Sequence, residues 1–144
     1  MMSAEQNVRR LAELIRGINV AMLTTVADDG SLRSRPMVTQ EKEFDGTLWF
    51  FTQPGAPKVS EVEREERVNL SYADPARQRY VSVSGSARLV RDRGKLKELW
   101  TPALRAWFPT GPEDGDLALL RVEVERAECW SGPSGAAVHL ASFR

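Results

Sequence analysis

The sequence is poor in the residues from which catalytic and metal sites are most often built. Its 144 residues include one histidine, His139, and one cysteine, Cys129. A single cysteine excludes an internal disulfide and fits a reducing compartment, so we expect a cytoplasmic protein. No cluster of cysteine, histidine and carboxylates has the spacing of a metal site, so we predict no bound metal. No pattern identifies a catalytic acid, base or nucleophile.

The chain also lacks a net charge and a long apolar run. Lysine plus arginine and aspartate plus glutamate both number 20, which gives a formal net charge of zero. Without a basic excess there is no general attraction for nucleic acid, and we predict no such partner. No segment approaches the about 18 consecutive apolar residues of a membrane span, so we predict no membrane partner. Any anion-binding site must therefore be local.

What is present suits one folded domain over residues 1–144, with 42% hydrophobic residues for a core. Ser3 and Gln6 have the spacing of a capping box, and the apolar periodicity that follows predicts a helix over about 4–16. Further helices are predicted over about 58–66 and, broken near Thr101, over about 92–107. Apolar or alternating runs predict strands over 18–26, 32–40, 47–53, 67–73, 79–90 and 117–126, with 127–132 extending or pairing with the last.

Short polar connections between the early strands favour a mainly antiparallel sheet. Pro36 predicts an edge, a bulge or a broken register in its strand, and Gly85 predicts a bulge or bend. The charged run over 61–66 is interpreted as a solvated helix face, and the tail from about 134 as either loose or lying on a partner. Since closing a sheet removes its edges, we predict a mainly β fold, a six-stranded barrel with peripheral helices.

Cationic and hydroxyl side chains gather at the ends of two neighbouring strands. Arg33 and Arg35 lie on the second strand, and Thr52 ends the aromatic third strand. Lys58 follows a Pro/Gly break in the first turn of a helix, where a cation opposes the helix dipole unless an anion is near. This combination suits a ligand with an anionic tail and a flat ring.

Each of these residues also has an ordinary structural interpretation. Exposed arginines and lysines are mostly solvated surface residues. Aromatic side chains, Trp130 included, commonly pack in cores or interfaces without touching a ligand. Both interpretations stay open for each residue.

Four short segments of the sequence are informative because of their order and spacing. They are the SRPM segment at 34–37, an aromatic-aromatic-Thr end to the third strand, Lys58 six residues beyond that threonine, and E-x-W-x-G-P-S-G from position 128. This order resembles the flavin-binding split β-barrel superfamily that includes pyridoxamine 5′-phosphate oxidase, above all its general stress protein 26 branch. The resemblance implies an antiparallel split barrel of FMN-binding type. It also implies FMN as cofactor, with FAD or deazaflavin as alternatives, held at the interface of a homodimer.

The resemblance also implies which residues bind the cofactor. The segment 35–38 would run along the flavin and its phosphate, Lys58 would bind the phosphate, and Trp130 would come from the second subunit. Arg33 would replace an arginine that the oxidases have at the position of Pro57. The implied cofactor-binding residues are Arg33, Arg35, Pro36, Met37, Val38, Phe51, Thr52, Lys58, Tyr80 and Trp130.

The departures from the oxidases concern their substrate. Gln40 stands where they bind the substrate phosphate with a lysine, and His139 falls outside their Arg-x-His segment. Pyridoxamine 5′-phosphate oxidase activity is therefore not expected. Three hypotheses remain: an FMN-binding general stress protein, with flavin-dependent redox chemistry on an unknown substrate; a deazaflavin- or flavin-dependent reductase; and a cofactor-free dimeric regulatory module, which Pro57 favours.

Overall fold

A computed structural model describes residues 2–40, 42–132 and 137–144. In this part of the chain three α-helices accompany one sheet. The helices are α1 (Ala4–Ile15), α2 (Pro57–Arg64) and α3 (Arg93–Leu99), with 3-10 turns η1 (Pro75–Arg77) and η2 (Pro102–Ala106). The strands are β1 (Val20–Val26), β2 (Leu32–Val38), β3 (Thr47–Thr52), β4 (Arg67–Asp74), β5 (Arg79–Val90), β6 (Ala118–Ser131) and β7 (Ala137–Ala141).

The sheet is antiparallel throughout and runs in the order β2-β1-β4-β5-β6-β3, with β7 also paired to β6. Strands β2 and β3 stand at the two ends of this order, which makes the barrel a split one. The 14-residue β6 pairs with β3 near its start and with β7 near its end. The predicted mainly β, antiparallel split barrel is confirmed, with seven strands in the described residues and not six.

Strand β7 lies in the tail for which the sequence predicts a loose segment or one that lies on a partner, and residues 137–141 instead form a strand of this chain's own sheet. Residues 133–136, at the start of this tail, lie outside the described residues. The alternation of β7 is weak because Val138 and His139 are exposed, and Leu140 alone is deeply buried, at 2%. The strand is ordered by its partners: it pairs with β6, and the Asn7 side-chain amide of α1 donates to the carbonyl of Ala141.

Two special positions in the strands behave as the sequence predicts. Pro36 lies in β2, an edge strand of the sheet, where a missing N–H is tolerated. At Gly85 the register between β5 and β6 shifts. A Cβ at Gly85 would lie 2.3 Å from the carbonyl oxygen of Glu123, so the bulge needs a residue without a side chain. The predicted edge at Pro36 and bulge at Gly85 are confirmed.

The apolar side chains form two clusters, one on each side of the β3–β6 pair. Phe50 packs inside the barrel with α1, and Phe51 packs on the outside under α3 and η2. Successive strand residues point to opposite faces, so two neighbouring phenylalanines serve two different cores. They are 2% and 3% exposed.

The helices pack against different strands: α1 against β5 and β7, α2 against β1 and β5, and α3 against β6. Helix α1 begins with the predicted capping box between Ser3 and Gln6 and buries Leu11 and Leu14. The predicted break near Thr101 is present, because α3 ends at Leu99 and η2 begins at Pro102. At 12 residues, α1 is too short to cross a bilayer, and the other helices of the described residues also lack the length and apolar character for it.

Candidate functional site

The N-terminus of α2 lies beside the edge strand β2. Its N-cap residue, Ala56, offers no side-chain acceptor, so the first N–H groups of the helix have no capping side chain. Helix α2 begins at Pro57, one residue before its predicted start, and Lys58 lies in its first turn, as the sequence predicts. Pro57 has no N–H and the Val59 N–H donates to the Ala56 carbonyl at 3.0 Å, so the backbone N–H of Lys58 and the positive end of the helix dipole are what favour an anion here.

Lys58 is half-buried at this helix start. Burial, and secondarily the positive charge of Arg35, lowers the pKa of Lys58 below its usual value. The two cations predicted to share a phosphate are therefore close enough to repel each other, which is the arrangement an anion would stabilise.

The guanidinium of Arg35 is hydrogen-bonded to three other residues of the chain. Its guanidinium donates to the Thr25 hydroxyl at 2.7 Å, to the Leu23 carbonyl at 3.3 Å and to the Glu61 carboxylate at 2.9 Å. The Thr25 hydroxyl in turn donates to the same Glu61 oxygen at 2.9 Å. The side chains of Arg35 and Glu61 are 21% and 8% exposed. Every member of the network is thus paired, and the charge of Arg35 is balanced inside the chain.

The buried Glu61 overturns part of the sequence interpretation. Glu61 was assigned to a solvated face of α2 with the other charges of the run, yet it packs inward between Val59 and Val62. The prediction holds for Glu63, which is exposed on α2, whereas Glu65 is half-buried and Glu66 is exposed beyond the end of the helix. The physical reason is the cation on β2: a carboxylate is buried only where a partner such as Arg35 compensates its desolvation.

The other predicted residues of β2 face different surroundings. Arg33 is exposed and lines a small cavity of about 270 Å³ together with Pro57 and Ser60. Pro36 is exposed as well, whereas Met37 is 4% exposed and packs in the barrel core. A ligand on the barrel surface could therefore reach Met37 only through its backbone. Val38 is half-buried against the outer apolar cluster.

The end of β3 is packed more tightly than its predicted role suggests. Phe51 makes aromatic contacts with Trp100 and Phe108, at ring-centroid distances of 5.6 and 6.1 Å. Thr52 is 1% exposed, and its hydroxyl makes one long hydrogen bond, 3.5 Å, to the Gln53 carbonyl. Both residues hold the strand end in position, and the Thr52 hydroxyl keeps capacity for a stronger partner.

Tyr80 and Trp130 do not join this group within one chain. They pair directly with each other across β5 and β6. Thr52 pairs with Ala118 at the opposite end of β6, so most of the length of that strand separates Trp130 from Thr52. The structure therefore brings together Arg35 and Lys58, and it holds Tyr80 and Trp130 at the other end of β6 from Thr52.

A second cavity, of about 360 Å³, opens between the end of β2 and the start of β3. Gln40, Trp49 and Tyr72 are among its lining residues. Burial raises the pKa of Tyr72. The Gln40 side-chain nitrogen is buried without a hydrogen-bond partner in the described residues. This cavity lies beyond Val38, at the far end of β2 from Arg33.

The sequence model of the family described as pyridoxamine 5′-phosphate oxidase like matches residues 6–144. The chain belongs to this family. Among curated proteins, the protein bli-3 of Neurospora crassa is 29% identical over 133 residues, which cover 85% of this chain and 64% of bli-3. The chain thus spans less than two thirds of that relative.

Two solved structures are similar to this pyridoxamine 5′-phosphate oxidase-like chain over most of its length. A general stress FMN/FAD binding protein of Xanthomonas citri has a TM-score of 0.74 and 27% identity, with 95% of this chain and 94% of that chain covered. A protein of Clostridium acetobutylicum related to general stress protein 26 has a TM-score of 0.80 at 18% identity, with 95% of both chains covered. The second likeness supports the fold alone.

Sequence reasoning missed two residues of the site in this family member, Thr25 and Glu61. A signal for Glu61 was available, because it follows Lys58 by three positions and so lies on the same face of α2. A signal for Thr25 was weaker. Its strand reads as buried throughout, and a threonine in such a strand is commonly a packing residue with a satisfied hydroxyl.

Proposed function

We propose that this chain binds FMN, with the flavin phosphate at the N-terminus of α2. The observation that carries the proposal is Lys58, a half-buried cation at an uncapped helix start. Its pKa is lowered by burial and by the neighbouring Arg35. A bound phosphate would relieve this repulsion and would accept from the backbone N–H of Lys58. The Xanthomonas citri relative, named an FMN/FAD binding protein, supports a flavin as the ligand.

In this proposal the flavin ring extends from the phosphate along the edge strand β2. Pro36 and Val38 offer an exposed to half-buried strip for it, and Arg33 adds a second cation near the helix start. The edge strand also has backbone groups on its outer side, which suit the polar atoms of a flat heterocycle. FAD and deazaflavin share the ring and a phosphate, and they are alternatives on the same residues.

We propose that the binding unit is a homodimer. Tyr80 and Trp130 lie at the opposite end of β6 from Thr52 within one chain, so a second copy is needed if all three are to contact the same ligand. The outer face of β1 and β2 carries exposed apolar side chains: Leu32 is 72%, Val20 41% and Met22 39% exposed. A second copy that covers this face would bury them, as the interior of an interface requires.

A bound flavin would supply electron or hydride transfer, and we propose redox chemistry on an unidentified substrate, in a general stress role. This chain's own residues would bind the phosphate, orient the ring and shield it with Val38. We place the protein in the cytoplasm. The support is that its one cysteine, Cys129, is free and buried.

The test is the visible absorption spectrum of the purified protein, followed by titration with FMN. We expect a yellow protein, or a colourless one that binds FMN with a micromolar or lower Kd. Titrations with FAD and with a deazaflavin establish which ring and tail are preferred. A protein that stays colourless and binds none of the three overturns the proposal.

A second candidate is a dimeric module without a cofactor. It is favoured by one observation, that Arg35 already has a carboxylate partner in Glu61. Such a module would not need Lys58 for its function, and reversing that charge would change neither its oligomeric state nor any partner binding. The flavin titration above separates the two candidates.

A further inference from the structure

The phosphate-site candidate contains a negative charge of its own. Glu61 lies on α2 three residues after Lys58, with its carboxylate oxygen 2.9 Å from the guanidinium of Arg35. The carboxylate is 8% exposed, so water screens it weakly. An incoming phosphate therefore meets two cations of which one is already paired.

We propose that Glu61 competes with the ligand phosphate for Arg35 and thereby sets the affinity of the site. The inference rests on the proposed function, because it takes the ligand at Lys58 to be a phosphate. A carboxylate and a phosphate bind the same face of a guanidinium through the same kind of charge-assisted hydrogen bond. While Arg35 is paired with Glu61, the charge-assisted hydrogen bond that it makes to Glu61 is not available to the ligand phosphate.

The geometry distinguishes a competitor from a residue that holds Arg35 in position. Arg35 is also fixed by the Thr25 hydroxyl at 2.7 Å and by the Leu23 carbonyl at 3.3 Å, both on β1. The orientation of the guanidinium therefore does not depend on Glu61 alone. What Glu61 adds is a negative charge, and a negative charge beside an anion site lowers affinity by repulsion.

The consequence is a site tuned for moderate, reversible binding. Ligands that carry less negative charge at the phosphate suffer less from Glu61, so phosphodiesters and singly ionised phosphates lose less affinity than doubly ionised ones. The chain would exchange its flavin with the free pool and would not retain it through purification as tightly as a site with unpaired cations.

The experiment compares the wild-type chain with Glu61→Gln and Glu63→Gln. Glutamine keeps the shape of Glu61 and its hydrogen-bonding oxygen but removes the charge. Glu63 is exposed on the same helix and undergoes the same charge change. Titration of each protein with FMN, followed by flavin fluorescence, gives the Kd, and thermal unfolding without FMN gives the Tm.

We expect Glu61→Gln to bind FMN about tenfold or more tightly than the wild type, from the loss of a repulsive charge at short range. We expect its Tm to fall at the same time, because the ion pair with Arg35 is weakened. A residue with a purely structural role would lower both affinity and Tm. Glu63→Gln should leave both within error, and Glu61→Gln with equal or weaker affinity overturns the inference.

A second titration separates this inference from the proposed function. Inorganic phosphate is added to the same three proteins, and the backbone NMR signals of Lys58 and Val59 report its binding. Tighter phosphate binding by Glu61→Gln without FMN binding by any variant would overturn the flavin proposal and uphold the competition. FMN binding that Glu61→Gln leaves unchanged would uphold the flavin proposal and overturn the competition. Equal phosphate binding by all three proteins also overturns the competition, and if none of them binds phosphate alone, the FMN titration decides.

Discussion

The guanidinium of Arg35 on β2 lies 2.9 Å from the carboxylate of Glu61 on α2, and the Thr25 hydroxyl bridges the two. This pair joins an edge strand of the barrel to the helix that follows β3. It therefore has two consequences at once, because it fixes α2 against the barrel and reduces the charge that a ligand would meet. Stability and ligand affinity are coupled through one interaction.

The first prediction concerns stability. Arg35→Met leaves the Glu61 carboxylate buried without its cation, and we expect a loss of about 3 kcal/mol in the free energy of unfolding. Urea denaturation without ligand measures this loss. Arg33→Met, on the same strand but exposed, should change the free energy by less than about 0.5 kcal/mol. The double variant Arg35→Met/Glu61→Met should recover much of the loss, and equal stability of both single variants would contradict the network's role.

The second prediction concerns the phosphate. Lys58→Glu places a negative charge at the uncapped start of α2, and we expect FMN affinity to fall by about a hundredfold or more. The matched control is Lys97→Glu, which makes the same charge reversal at an exposed position of α3. Isothermal titration of both variants compares them at equal net charge. If both bind FMN like the wild type, the phosphate does not lie at Lys58.

The third prediction concerns pH. The pKa of Lys58 is lowered by burial and by Arg35, from an ordinary value of 10.5. A phosphate binds the protonated form, so the Lys58 contribution to affinity is fully present below the pKa of the free protein and is lost as pH rises through it. The decline should therefore begin at a lower pH than for an exposed lysine. Lys58→Arg stays protonated and should remove the decline, whereas a decline of the same size in that variant assigns it to another group.

Much of the fold could be predicted because its signals are local. The capping box at Ser3, the short connection between β1 and β2 and the bulge at Gly85 each depend on residues close in sequence. Strand β7 could not be predicted in this way. Its order comes from pairing with β6 and from Asn7, more than a hundred residues earlier, and its own sequence has one deeply buried side chain, Leu140.

The candidate site likewise has one part that local sequence signals predict and another that depends on contacts between distant residues. Lys58 was recognisable, because its position after a Pro/Gly break at a helix start is a local feature. The pairing of Arg35 with Glu61 joins residues 26 positions apart on different elements. A run of charged residues along a helix predicts a solvated face unless the residues that pack against that face are known. Here those residues are Thr25 on β1 and Arg35 on β2.

The fourth prediction concerns the homodimer. Leu32 is 72% exposed on β2, and Leu32→Asp should convert a dimer to monomers because it places a charge in the proposed interface. Trp107, at 54% exposed, follows η2 and is the matched apolar control. Sedimentation equilibrium should show a dimer for the wild type and for Trp107→Asp. A monomeric wild type would contradict the proposal.

The fifth prediction concerns the bulge between β5 and β6. A Cβ at Gly85 would lie 2.3 Å from the Glu123 carbonyl oxygen and 3.1 Å from the carbonyl carbon, both backbone atoms that cannot move aside cheaply. Gly85→Ala should therefore cost about 2–4 kcal/mol in unfolding free energy. Gly55→Ala is the control, because no atom lies within 4 Å of its Cβ position. Urea denaturation compares them, and equal midpoints would show that β5 and β6 can separate locally without loss of the barrel.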